Sequence, residues 1–165
     1  MISLVAECRE HDLKYSFLMY DVVIKLHYIV SAIFLILALV TTVWAIIGWI
    51  KDIPCPRSFL RLSWVFIHFL YIQLLTGITL YFFLEPEADA AIMTMEEALK
   101  HNSQRFWGIE HVSLMLFALI LSQVGRLIIK QISSDRKKYR AATFYYGISL
   151  LVVMSSALMA IFRNL

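Results

Sequence analysis

Four long apolar stretches, separated by short charged segments, dominate the pattern of hydrophobic and polar positions along the chain. They cover residues 22–50, 59–84, 106–129 and 141–162. At a rise of about 1.5 Å per residue, each stretch is long enough as an α-helix to cross a hydrocarbon layer about 30 Å thick. Short inner connections make consecutive helices antiparallel neighbours. The pattern therefore predicts an all-α fold, an up-and-down bundle of four transmembrane helices.

The composition agrees with an integral membrane protein. Of 165 residues, 61% are hydrophobic and only 16% are charged, which lies outside the usual range of soluble domains. Residues 1–21 alternate apolar clusters with charge and lack the basic start and long apolar run of a cleavable signal peptide. We divide the chain into an N-terminal arm, residues 1–21, and a four-helix membrane domain, residues 22–165. The arm is either a helix on the outer membrane surface or a loosely ordered segment.

The basic residues predict the orientation of the bundle. With four crossings, both termini share a side with the long 85–104 segment; that side carries 6 Lys and Arg residues, against 9 on the opposite side. The excess lies mainly in the short 51–57 and 130–140 segments, where the positive-inside rule has most force. These two segments are therefore expected in the cytoplasm and both termini outside. Cys8 and Cys55 then lie on opposite sides and cannot form a disulfide within one chain.

Three histidines lie within the apolar stretches, where an ionisable side chain is costly unless it is paired, hydrated or bound to a ligand. His27 and His111 each lie about five residues below the outer start of a helix, which is roughly 7 Å. His68 lies about 16 residues from the outer end of the second stretch, and thus on the order of 17 Å from the level of the other two. Two imidazoles at one level of a bundle can ligate a haem iron, so His27 and His111 are the candidate axial ligands.

Each candidate residue also has an alternative interpretation. His27 and His111 would serve equally well as interfacial histidines that meet water and headgroups. For His68 we expect hydrogen bonds to neighbouring helices, with a second haem site or a proton relay as the functional alternative. Glu110 is assigned to a cross-helix hydrogen bond or a proton path. Lys25 and Arg105, at the outer edge, are candidates to pair with haem propionates.

Three local patterns predict contacts or structure. Asp21 and Lys25 are four residues apart and suit an ion pair at a helix entrance. Gln73 and Gly77 are also four apart, and a small residue there lets another helix approach closely enough for the amide to find a partner. A capping-box pattern in the 94–97 segment predicts a short helix through about His101.

Several short motifs lie along nearly the whole chain from Tyr20: Tyr20-Asp21 with Leu26-His27, His68 with the 73–82 run QLLTGITLYF, the 105–111 run RFWGIEH, and Gly125-Arg126 with the 141–147 run. With these motifs the sequence resembles a family of small bacterial four-helix membrane proteins that are often labelled cytochrome b. The family has histidines in its first three helices and none in the fourth, as here. Two features depart from its pattern: Tyr28-Ile29-Val30 follows the first histidine in place of an Arg-Trp pair, and Ile161-Phe162-Arg163 replaces a closing Ile-Pro-Trp.

The resemblance implies a multi-pass protein of the bacterial inner membrane that binds haem b through His27 and His111. Its expected function is one-electron transfer within or beside a respiratory complex, as an electron-transfer protein rather than a stand-alone enzyme. The expected partners are that larger membrane complex or further copies of the chain, the lipid bilayer and a quinone, and no nucleic acid. Two other hypotheses stay open: a haem-free accessory or assembly subunit, and a small membrane oxidase that acts on a porphyrin or a quinol.

Overall fold

The computed structural model describes residues 2–81 and 105–163, with side chains described for residues 18–81 and 105–162. These residues form α1 (Ile2–Lys51), α2 (Arg57–Thr79), a π-helical turn (Arg105–His111), α3 (Val112–Gln131) and α4 (Asp135–Arg163). The part of the chain that the structure describes contains no β-strand. The predicted all-α class is therefore confirmed.

Four segments of these helices are long and apolar enough to cross a membrane: Leu18–Lys51, Arg57–Thr79, Arg105–Gln131 and Asp135–Phe162. They confirm the four predicted crossings. Helix α1 continues without a break from Ile2 into the first crossing, so the arm at residues 1–21 is helical from residue 2, and its place on the membrane surface stays a prediction. The short helix predicted near His101 lies outside the described residues.

The helices pack as a closed ring, in which α1 contacts α2, α2 contacts α3, α3 contacts α4 and α4 contacts α1. Helices α1 and α3 thus lie on one diagonal of the bundle. Aromatic side chains from three of the helices pack against one another: Phe34 of α1 stacks on Phe66 of α2 at a centroid distance of 5.6 Å, and Phe66 contacts the ring of Tyr146 of α4 at 5.5 Å. All three side chains are buried.

Small residues let the helices approach one another closely. The ring of Tyr139 lies against Gly48, where α4 contacts α1, and Tyr145 lies against Gly125, where α4 contacts α3. Ser122 on α3 donates a hydrogen bond to Ser149 on α4 over 2.8 Å. Such contacts are typical of helix association in membranes, where lipid competes with every apolar contact.

The two ends of the bundle differ in construction. At one end, which we call the loop end, α1 stops at Lys51 because Asp52 adopts a left-handed backbone conformation with φ of 52°. Residues 52–56 and 132–134 make the two short connections there. The opposite end, where the first crossing begins at Leu18 and the last one ends at Phe162, we call the terminal end. His27 and His111 lie nearer the terminal end.

Candidate cofactor site

His27 is held by hydrogen bonds from both of its ring nitrogens to α2. Nδ1 lies 3.1 Å from the hydroxyl of Thr76, and Nε2 lies 2.9 Å from the amide nitrogen of Gln73. The Thr76 hydroxyl donates its own proton to the backbone carbonyls of Ile72 and Gln73, so it accepts a proton from His27. His27 therefore carries its proton on Nδ1 and offers the lone pair of Nε2 as an acceptor.

Gln73 uses its amide nitrogen twice. It donates to Nε2 of His27 and, in a very short contact, to the hydroxyl of Ser31. Ser31 in turn donates to the backbone carbonyl of His27 over 2.7 Å, so its oxygen is left to accept. Gln73 is buried, and its carbonyl oxygen has no hydrogen-bond partner among the described residues. The expected interhelical partner of this amide is thus found, at His27 and Ser31 on α1.

Gly77 allows the ring of His27 to lie against α2. A Cβ atom at this position would come 3.3 Å from Cε1 of His27, which is tighter than ordinary van der Waals contact. The predicted close approach at the Gln73 and Gly77 face is therefore confirmed, and it is His27 that uses it.

His111 is the last residue of the π-helical turn and lies next to α4. Its Nδ1 is 2.8 Å from the hydroxyl of the buried Ser156. This hydrogen bond does not involve Nε2. The rings of Trp107 and Phe106 lie 5.4 and 6.1 Å from the imidazole, between centroids. His111 thus forms one side-chain hydrogen bond, to Ser156, and lies beside two aromatic rings.

His27 and His111 lie on opposite sides of the bundle. His27 belongs to α1 and His111 immediately precedes α3, so they project from diagonally opposed helices. In both histidines, Nδ1 bonds to a hydroxyl of a neighbouring helix, Thr76 of α2 or Ser156 of α4. With Nδ1 engaged in this way, Nε2 is the remaining ring nitrogen of His111, and in His27 Nε2 accepts from the amide of Gln73.

The π-helical turn places the charged neighbours of His111. Arg105 donates from Nε to Glu110 over 2.9 Å. These residues are five apart, a spacing that a π-helix aligns and an α-helix does not. The ring of Tyr81, just beyond α2, lies over Gly108 at the place where a Cβ would stand. The expected cross-helix hydrogen bond of Glu110 is thus replaced by an ion pair within its own turn.

The two cations predicted to meet propionates both have carboxylate partners in this structure. Lys25 pairs with Asp21 at 2.6 Å, which confirms the predicted ion pair at the start of the first crossing, and Arg105 pairs with Glu110. Both pairs are partly exposed, and ion pairs of this kind contribute about 0 to 1 kcal/mol. These ion pairs are weak enough for another anion to replace the carboxylate. Propionate binding by Lys25 and Arg105 stays a prediction.

His68 lies apart from the two paired histidines. Its Nδ1 donates to the backbone carbonyl of Trp64 over 2.8 Å, and its ring lies 3.8 Å from that of Trp64, between centroids. The hydrogen bond thus forms within its own helix, whereas an interhelical bond was expected. Gln123 of α3 donates to the hydroxyl of Tyr71 on α2 over 2.6 Å.

The predicted depth of His68 relative to His27 was also wrong. His27 bonds to Gln73 and Thr76, which lie five and eight residues from His68 along α2, or about 8 to 12 Å. The sequence-based separation of 17 Å is too large because the first crossing begins at Leu18 and His27 lies deeper than assumed.

Sequence reasoning missed Thr76, Ser156 and Ser31 as partners of the histidines. Each is a small hydroxyl residue within an apolar run, which indicates only that a hydrogen bond to some group is needed. The identity of that group depends on the rotation of two helices about their axes. Gln73 was found by its spacing from Gly77, although its contact with His27 was not foreseen.

A b-type haem fits the donor set of this site. Its iron needs two axial imidazoles, and His27 and His111 present the same ring nitrogen from diagonal helices, with the other nitrogen fixed by a hydroxyl. The amide of Gln73 would have to leave Nε2 of His27 first. The described residues contain no group of three or more His, Cys, Asp or Glu side chains that could hold a metal ion, but an iron already held by a porphyrin needs only two ligands.

Comparisons of the chain with protein-family models, with curated proteins and with solved structures found no match. The resemblance to four-helix proteins labelled cytochrome b therefore stays a prediction. The class of the protein is defined by its architecture, a bundle in which four described helices are long and apolar enough to cross a membrane.

Proposed function

We propose that this protein is a membrane-bound b-type cytochrome that transfers single electrons within or beside a respiratory complex of the bacterial inner membrane. The observation that carries the proposal is the matched pair of histidines on diagonal helices, each with Nδ1 bonded to a hydroxyl. A hydrogen bond at Nδ1 fixes the orientation of an imidazole and strengthens Nε2 as a ligand. A histidine that served only to satisfy a core would have no need of a counterpart built in the same way.

In this proposal His27 and His111 hold the iron, and the surrounding residues set its environment. A haem with two imidazole ligands supplies reversible one-electron transfer. Thr76 and Ser156 orient the two rings, while Phe106 and Trp107 exclude water beside His111. Lys25 and Arg105 are the cations available for propionates at the same end of the bundle.

A haem-free accessory subunit is the second candidate function, and one observation favours it. Both ring nitrogens of His27 already have partners on α2, so this imidazole can serve as a purely structural link between helices. In that case His27 contributes to bundle stability alone, and a larger membrane complex supplies the redox chemistry. Three partners are expected for the cytochrome: a respiratory complex, a second copy of the chain and a quinone. They are part of the proposal.

An optical spectrum of the protein purified after expression with added haem tests the proposal. We expect low-spin b-type bands in the reduced-minus-oxidised difference spectrum. His27→Ala or His111→Ala should leave the iron with one protein ligand, and thus give a high-spin spectrum or loss of haem. His68→Ala is the matched control because its hydrogen bond lies within its own helix, and we expect its spectrum to be that of the wild type.

The result distinguishes the two candidate functions. If no b-type bands form, and if His27→Ala and His111→Ala change only the stability of the bundle, the accessory function is the correct one. If His68→Ala abolishes the bands while His27→Ala does not, the ligand pair is wrong and the site lies nearer the middle of the bundle.

A further inference from the structure

A groove at the loop end of the bundle combines positive charge with aromatic surface. It has a volume of about 490 Å³ and is lined by residues from α1, α4 and the 132–134 connection. Lys137 and Arg140 of α4 contribute the charge, and Trp49 near the end of α1 contributes an indole ring. Both cations are exposed, and no described residue forms an ion pair with either of them. The groove thus holds two uncompensated positive charges.

The other charges of this segment do not neutralise the groove. Asp135 is the acidic residue nearest along the chain, and its carboxylate binds Lys138 at 3.0 Å. Lys138 does not line the groove. Lys137 and Arg140 are three residues apart on α4, so they lie on neighbouring positions of one helix face and can bind one anion together.

The position of the groove identifies the source of the anion. The first crossing ends at Lys51, two residues after Trp49, and the fourth crossing begins on the same side of the bundle. The groove therefore lies at the level of lipid headgroups. Phe144, a turn beyond Arg140, is 59% exposed and directs an apolar ring toward the region that acyl chains occupy. Positive charge at headgroup level above an apolar surface fits a phospholipid rather than a soluble anion.

We propose that this groove, formed by Trp49, Lys137, Arg140, Thr143 and Phe144, is a binding site for one anionic phospholipid. The guanidinium of Arg140 and the ammonium of Lys137 bind the phosphate, since a guanidinium matches two phosphate oxygens at once. The acyl chains lie along Phe144. The site depends only on the membrane fold and not on the proposed haem.

Native mass spectrometry of the purified full chain tests this site. The chain is stripped of lipid in detergent and titrated with phosphatidylglycerol or phosphatidylcholine of the same acyl chains. We expect one phosphatidylglycerol to be retained at concentrations at which phosphatidylcholine is not. Each cation near a headgroup phosphate contributes about five-fold in affinity, so Lys137→Gln and Arg140→Gln should each weaken retention by about that factor.

Arg136→Gln is the matched control. It removes one positive charge from the same turn of α4, and Arg136 is exposed and does not line the groove. We expect it to leave phosphatidylglycerol retention unchanged. The substituted residues are exposed, so their replacement should leave the helical content of the chain intact, which circular dichroism of each variant verifies.

Three results would overturn the proposal. Equal retention of phosphatidylglycerol and phosphatidylcholine would show that no anionic site exists. Equal losses for Arg136→Gln and Arg140→Gln would show that net charge, not the groove, attracts the lipid. Displacement of the lipid by millimolar inorganic phosphate would show that the groove binds free phosphate and not a phospholipid.

Discussion

Gln73 decides, at the scale of single residues, whether His27 is a ligand or a structural link. Thr76 sets the tautomer of His27, because its own proton goes to backbone carbonyls and only its lone pairs remain for Nδ1. The lone pair of Nε2 is then engaged by the amide of Gln73. One lone pair serves one partner, so this amide and an iron atom compete for it. Gln73 is therefore an internal competitor of the proposed haem.

Replacement of Gln73 by leucine tests this competition. A neutral hydrogen bond in a protein contributes about 0.5 to 1.5 kcal/mol, and the apparent affinity falls with the fraction of molecules in which the ligand atom is free. We expect Gln73→Leu to bind added haem about ten-fold more tightly than the wild type, and faster. Absorbance in the Soret region, followed in a stopped-flow titration of the haem-free protein in detergent, measures both quantities.

Gln123→Leu is the control for the Gln73 variant. Gln123 also donates its amide across helices, but to the hydroxyl of Tyr71 at 2.6 Å, away from both paired histidines. It should bind haem as the wild type does. If Gln73→Leu binds haem no better than Gln123→Leu, the amide does not compete for Nε2, whereas absence of haem from every variant would reject the cytochrome itself.

The residues of the site were predictable in part. His27 and His111 follow from the cost of an ionisable group in an apolar run, and an interhelical partner for Gln73 follows from its four-residue spacing to Gly77, although His27 was not foreseen as that partner. The partners Thr76 and Ser156 lie 49 and 45 residues away along the chain from the histidines they bind. Such pairs depend on how each helix is rotated and tilted against its neighbour, which apolar periodicity does not specify.

At the scale of elements, the four crossings were predictable and the π-helical turn before α3 was not. The crossings follow from length and hydrophobicity alone. The turn at Arg105–His111 makes a tertiary contact, in which the ring of Tyr81 lies over Gly108. Glycine at this position is the one sequence signal of the close approach. The wider turn also aligns Arg105 with Glu110 and sets the position at which His111 enters the bundle.

Gly108→Ala tests the contact between the π-helical turn and Tyr81. A methyl group at Gly108 would overlap the Tyr81 ring, so the ring or the turn must move. Overpacking of this kind costs about 1 to 3 kcal/mol, and we expect the free energy of unfolding to fall by that amount. Denaturant titration in detergent micelles, followed by far-ultraviolet circular dichroism, measures the change.

Gly147→Ala is the same substitution at a position with room for it. The nearest atom to a Cβ there is a methyl group of Thr42 at 3.9 Å, an ordinary contact, and alanine is the better helix former by about 1 kcal/mol. We expect this variant to be as stable as the wild type or slightly more so. Equal stability of both variants would show that Tyr81 yields without cost and that its contact does not hold the turn.

At the scale of the whole molecule, the bundle reverses the usual arrangement of a soluble protein. Large apolar side chains such as Ile36, Leu75 and Leu151 are more than 60% exposed, while the polar side chains Ser122, Ser149 and Ser156 are fully buried between helices. Lipid covers the apolar exterior, and these buried hydroxyls bond to one another, to the backbone or, for Ser156, to His111. The fold therefore requires a membrane, and the orientation within it decides which compartment the paired histidines face.

The positive-inside rule predicts that the loop end faces the cytoplasm. The 51–57 and 130–140 segments at this end carry most of the excess of Lys and Arg, so a reporter fused after Leu165 should behave as periplasmic. An independent measurement uses a single cysteine at Ser133, an exposed residue of the second connection. Burial raises the pKa of the Cys55 thiol and slows its alkylation, so Cys55 itself is a poor probe of orientation.

For the cysteine measurement, Ser133→Cys is placed in a chain that also carries Cys8→Ser and Cys55→Ser. A membrane-impermeant maleimide should label it only after the cells are opened, because residue 133 is predicted to be cytoplasmic. Labelling of intact cells, together with a cytoplasmic reporter after Leu165, would reverse the orientation. The histidine pair, which lies nearer the terminal end, would then face the cytoplasm, and the proposed cytochrome would exchange electrons with partners on that side instead of the periplasmic side.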